Sequence, residues 1–79
     1  MTRDEVLNKV TEVFKEFFDN KDLTITLETT AEDIEDWDSV AHIQLVFELE
    51  AAFDIQFEAE TIGEMKSIES IVQNTEIMM

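Results

Sequence analysis

The sequence predicts an all-α chain: a long helix, a long loop, a second long helix, a short helix and a last helix. Three observations lead there. Separate stretches repeat apolar residues every three or four positions, which is the period of a helix. One stretch, Leu23, Ile25 and Leu27, alternates as a strand would, but no second alternating run exists to pair with it. A length of 79 residues allows one domain, residues 1–79, with a small core.

The first helix covers roughly residues 2–20. Val6, Leu7, Val10, Val13, Phe14, Phe17 and Phe18 form its apolar stripe. Thr2 with Glu5 fits a capping box, and Asn20 is a plausible stop. Residues 21–38 read as an extended loop whose apolar side chains pin it to the helices. Six acids crowd residues 28–38: Glu28, Glu32, Asp33, Glu35, Asp36 and Asp38. They suit a solvated loop; the spacing and central glycine of an EF-hand are absent, and no metal site is expected.

The second helix, about 39–53, is apolar on two sides. At ~100° per residue, His42, Leu45, Val46, Leu49 and Phe53 share one arc. Val40, Ile43 and Phe47 share another, nearly opposite Leu45. One arc suffices to bury a surface helix, so the second needs its own explanation: another helix, an internal pocket or a partner. Ile55 and Phe57 anchor the loop that follows. Residues 59–65 suit one or two helical turns with Ile62 and Met65 inward. Ser67 reads as the N-cap of the last helix, with Ile68, Ile71 and Val72 as its apolar face and fraying expected from Glu76.

Charge excludes further functions. Twenty acids against five bases leave −15, and four of the five bases lie within residues 1–21. Such a chain is unsuited to nucleic acid, which requires clustered lysine and arginine. The acidic remainder suits a basic protein partner. No apolar run exceeds three residues, so nothing spans a membrane, and no signal-peptide core follows the N-terminus; the expected location is the cytoplasm. Cysteine is absent, which removes disulfides, thiolate metal sites and a cysteine nucleophile. With one glycine, Gly63, a phosphate-cradling loop is absent too. His42 is the only histidine, and on an apolar arc it reads as a packing residue within reach of Asp38, four positions earlier. No catalytic set remains, so an enzyme is not expected.

The unusual segment is Asp36-Trp37-Asp38-Ser39-Val40, where loop turns into helix. Its plainest reading is a helix start, with Asp38 or Ser39 as cap and Trp37 as staple. The same geometry exposes a serine hydroxyl beside free backbone N–H groups that favour a phosphate.

Asp38-Ser39-Val40, followed by the helix from Ala41 to Glu50, resembles the Asp-Ser-Leu attachment motif of acyl carrier proteins. The segments 53–57 and 66–71 match that family's order, so the resemblance covers nearly the whole chain. It implies a four-helix bundle carrying 4′-phosphopantetheine on Ser39, installed from coenzyme A by a phosphopantetheinyl transferase. The thiol of that arm would hold an acyl group as a thioester, and the protein would shuttle it as a monomer without catalysing anything. The resemblance further implies that Asp38 helps the transferase position its metal. It implies that Val40, Phe47 and the acids Glu48, Glu50 and Glu60 meet acyl-loading and acyl-transfer enzymes through their basic patches. Val40 stands where leucine is usual and Trp37 where a smaller residue is. Ala41, Gln44 and Ala51 are neutral where carriers of fatty acid synthesis commonly have acids. That thinning points to a dedicated biosynthetic pathway. An aminoacyl or peptidyl carrier of the same fold, and an acidic interaction domain with Ser39 as a mere cap, are the alternatives.

Overall fold

The computed structural model describes residues 2–79. It contains α1 (Arg3–Phe17), a 3₁₀ turn (Ala31–Asp33), α2 (Ser39–Phe53), α3 (Ala59–Glu64) and α4 (Ile68–Met78). Among the described residues no strand forms, and the β-type pairing is one isolated bridge between Thr30 and Ser67. The four-helix expectation holds, with the long loop and the short third helix where the sequence puts them.

α1 starts on the expected capping box. The Thr2 hydroxyl accepts the Glu5 N–H, and the Glu5 carboxylate accepts the Thr2 N–H at 3.1 Å. Its end differs from expectation. The helix stops at Phe17, three residues before Asn20, because Asp19 turns into the left-handed region at φ 50°. The Asn20 N–H then closes the turn on the Lys15 carbonyl at 3.0 Å.

The Phe14 ring meets Trp37 edge-on at 5.1 Å, just before α2 begins. The Lys9 ammonium lies 5.1 Å from the Phe53 ring centre, where α2 ends. α1 and α2 therefore run antiparallel. Between them and α4, Val6, Val10, Phe14, Leu45, Val46, Leu49, Ile68, Ile71 and Val72 are fully buried. Each such side chain contributes about 1.5–3 kcal/mol by leaving water, which is why this stripe decides the arrangement.

The long loop is tied down as expected: Ile25 is buried, and Leu23 and Leu27 pack against the core. It also finds backbone partners. The Ala31 N–H donates to the Lys66 carbonyl and the Ile68 N–H to the Thr29 carbonyl, each at 2.8 Å. These two bonds dock the loop on the start of α4, which Ser67 caps through the Ser70 N–H at 3.1 Å. α4 continues to Met78, beyond the fraying point expected at Glu76. Near its end Glu76 pairs with Arg3 at 2.8 Å.

Candidate functional site

α2 begins where the sequence turns unusual. Asp38, in extended conformation, is the N-cap, and its carboxylate accepts the Ala41 N–H at 2.8 Å. The cap is therefore Asp38, which frees the Ser39 hydroxyl from that duty. Ser39 is the first residue of α2 and is exposed. Its N–H and that of Val40 precede the first helical hydrogen bond, which the His42 N–H makes to the Asp38 carbonyl at 2.8 Å. An exposed hydroxyl thus stands at the positive end of a fifteen-residue helix.

Trp37 acts as the expected staple. It is 4% exposed and stacks on His42, the residue one turn into α2, with ring centres 5.9 Å apart. His42 is the buried packing residue expected, though its bonding partners are not. Its side chain bonds to Trp37 and to the Ile62 carbonyl of α3, not to Asp38.

The two arcs of α2 separate cleanly. His42, Leu45, Val46 and Leu49 are buried. Val40, Ile43 and Phe47 are 69%, 46% and 58% exposed, so the second arc faces outward rather than into the core.

The acids expected beside this arc do not form one group. Glu48 lies ~180° around α2 from Ser39. There it lines an open groove of about 620 Å³ against α1, with Val13, Glu16, Phe17, Ala51 and Ala52. Glu50 lies on the Ser39 flank, but its carboxylate accepts the Phe57 N–H at 2.7 Å and so holds the loop after α2. Glu60 is exposed in the first turn of α3. In the acidic loop, Asp33 is spent on capping the Thr30 N–H at 2.9 Å. Among the described residues, no three His, Asp or Glu side chains converge as a metal ion requires. The sequence reading missed the structural duty of Glu50 and the link from Trp37 to α3. Both join residues across loops, where no period or motif announces them.

Fold and site together define a small helical module that presents a serine beside an outward apolar face. Comparison with known proteins narrows this to a family. The acyl carrier protein of Streptococcus pyogenes serotype M1 is 41% identical over 64 residues, covering 76% of this chain and 85% of the relative. That of Streptococcus pneumoniae serotype 4 is 38% identical over 71 residues, covering 90% of this chain and 92% of the relative. The solution structure of the holo acyl carrier protein from Geobacter metallireducens superposes with a TM-score of 0.84 at 29% identity, over 92% of this chain and 84% of that one. No protein-family model matches the chain. The chain belongs to the acyl carrier protein family, whose members are carriers and not enzymes. No helix among the described residues is long and apolar enough to cross a membrane.

Proposed function

We propose that this chain carries acyl groups as thioesters on a 4′-phosphopantetheine arm joined to Ser39, and shuttles them between enzymes of a dedicated biosynthetic pathway in the cytoplasm. The observation that carries the reading is the placement of Ser39: exposed, uncommitted to capping and at the start of α2 behind Asp38. The residues present fit a phosphodiester there. The amides of the first turn and the helix dipole favour its negative charge. When bound, the arm supplies the thiol that a cysteine-free chain lacks.

Each neighbouring residue then has a task. On a phosphopantetheinyl transferase, Ser39 Oγ would lose its proton and bond to the pantetheine-side phosphorus of the coenzyme A pyrophosphate, while the pyrophosphate P–O bond breaks and adenosine 3′,5′-bisphosphate leaves. Asp38 fixes the turn that presents this oxygen, and its exposed carboxylate helps the transferase position a metal. Val40 and Phe47 offer the apolar contact for partner enzymes, with Ile43 between them. Glu60, Glu48 and what remains open of Glu50 attract the basic patches of acyl-loading and acyl-transfer enzymes. The 79 residues act as a single monomeric domain.

The test is intact mass. Incubation with coenzyme A, magnesium and a broad-range transferase adds one phosphopantetheine to the wild-type chain and none to Ser39→Ala. A wild-type chain that gains no mass with several transferases overturns the reading.

A further inference from the structure

The carrier function assigns nothing to His42, yet both nitrogens of its ring have partners. It is 4% exposed, and among the described residues it forms no ion pair. Its two nitrogens point to two different elements. Nδ1 accepts the indole N–H of Trp37 at 2.9 Å, and Nε2 lies 2.7 Å from the carbonyl oxygen of Ile62 in α3. An indole N–H only donates, and a carbonyl only accepts. A neutral imidazole has one N–H to give, so its proton must sit on Nε2. Trp37 and the Ile62 carbonyl therefore favour the same tautomer, and that tautomer fastens α3.

α3 needs the fastening. It has six residues and an N-cap, Glu58, whose side chain makes no capping bond. Besides Met65 and Ile62 packing inward, its tie to α4 is a long hydrogen bond, 3.4 Å, from the Ser70 hydroxyl to the Glu64 carbonyl. With the Nδ1–H tautomer instead, the Nε2 lone pair would face the Ile62 carbonyl, and two acceptors would repel.

We propose that Trp37 and His42 are positioning residues: the indole N–H, acting through the tautomer of His42, holds α3 and its Glu60 in fixed register with the Ser39 turn. Trp37 precedes the Asp38 cap directly, so the serine and the short helix become one surface for any partner that touches both. This last, functional step rests on the carrier reading; the link between Trp37 and α3 does not.

Two measurements test it on the full chain. Long-range proton–nitrogen NMR of the His42 ring should show a proton on Nε2 and none on Nδ1 in the wild type. In Trp37→Phe, which removes the donor and keeps a ring, only the Ile62 carbonyl still favours Nε2–H, and the Nδ1–H fraction should rise. Hydrogen exchange at the Ile62 and Met65 amides, bonded to the Glu58 and Ile62 carbonyls, should then quicken by about fivefold, the value of one net hydrogen bond. The decisive arm is the His42→Gln background, whose amide N–H can donate to Ile62 without a tautomer for position 37 to set. There, Trp37→Phe should leave α3 exchange unchanged. In loading assays, Trp37→Phe should raise the transferase KM for the carrier about fivefold with kcat held, and His42→Gln should restore it. A wild-type Nδ1–H tautomer overturns the proposal and requires no variant. So does α3 exchange that ignores Trp37→Phe, or that quickens equally in both backgrounds. Unchanged KM beside the expected NMR result overturns the positioning role. A wild-type chain that never loads defeats the carrier reading instead, while tautomer and exchange still decide the link.

Discussion

α1 and α2 are equal in length, fifteen residues each, and pack antiparallel, yet their outer faces are opposites. α1 buries Val6, Val10 and Phe14 and turns Asp4, Glu5, Asn8, Glu12 and Glu16 to water. α2 buries His42, Leu45, Val46 and Leu49 and turns Val40, Ile43 and Phe47 outward. Burial alone explains α1 completely. It leaves half of α2 unexplained, because leaving large apolar side chains in water contributes nothing to the fold. The second face of α2 lies beside Ser39, and under the proposed function it is the face that partner enzymes touch.

The largest expected effects lie on the inner faces, where the two helices should behave alike. Phe14→Ala in α1 should cost about 3–5 kcal/mol and Leu49→Ala in α2 about 2–5 kcal/mol by urea unfolding. A loss below about 1 kcal/mol at either site would show that this face is not core. The caps come next. Thr2→Ala and Asp38→Ala should each cost about 1 kcal/mol, but only Asp38→Ala should also slow loading of Ser39. Equal loading rates for the two would reduce Asp38 to a cap.

The outer faces sharpen the contrast at still smaller cost. Glu12→Ala and Phe47→Ala should each change stability by about 0.5 kcal/mol or less. Phe47→Ala alone should slow transfer, since exposed aromatics anchor interfaces. If Phe47→Ala unfolds as readily as Leu49→Ala while the folded fraction loads normally, the contrast between the helices disappears.

The smallest effect is a titration confined to α1. The Thr2 N–H, and after it the Thr2 hydroxyl, hold the Glu5 carboxyl below the usual glutamate range. Because its folded value lies below the unfolded one, the stability it contributes is present above the unfolded value. That contribution is lost as pH falls through the folded value. The difference in Tm between the parent and Glu5→Gln should therefore shrink in acid, below the ordinary range of glutamate. A constant difference would mean that the capping box contributes without its charge.

What the sequence made legible was local. The capping box at Thr2, the start of α2 behind Asp38 and the Ser67 cap each lie within four residues of what they bond, and each was readable. The two arcs of α2 were readable because a helical period fixes them. The end of α1 was not, since the left-handed turn at Asp19 replaces a stop that Asn20 also fits. The loop's backbone bonds to Lys66 and Ile68, and the bond from His42 to Ile62, join residues distant in the chain. Only packing decides those. The exposed place of Ser39 was legible because the turn that sets it is local; Glu50 looked like a free acid because its partner, Phe57, lies across a loop.

Arg3, near the start of α1, holds Glu76, near the end of α4, at 2.8 Å. The pair is largely exposed and adds little energy, but it makes the two ends of the bundle neighbours in space. A linker of a few residues would close this chain into a ring. Reopening it within residues 20–28, where the backbone bonds are local turns, would give a circular permutant with the same helices in a new order. In that permutant α1 and α4 become a covalent hairpin, joined by a short loop whose closure entropy is small.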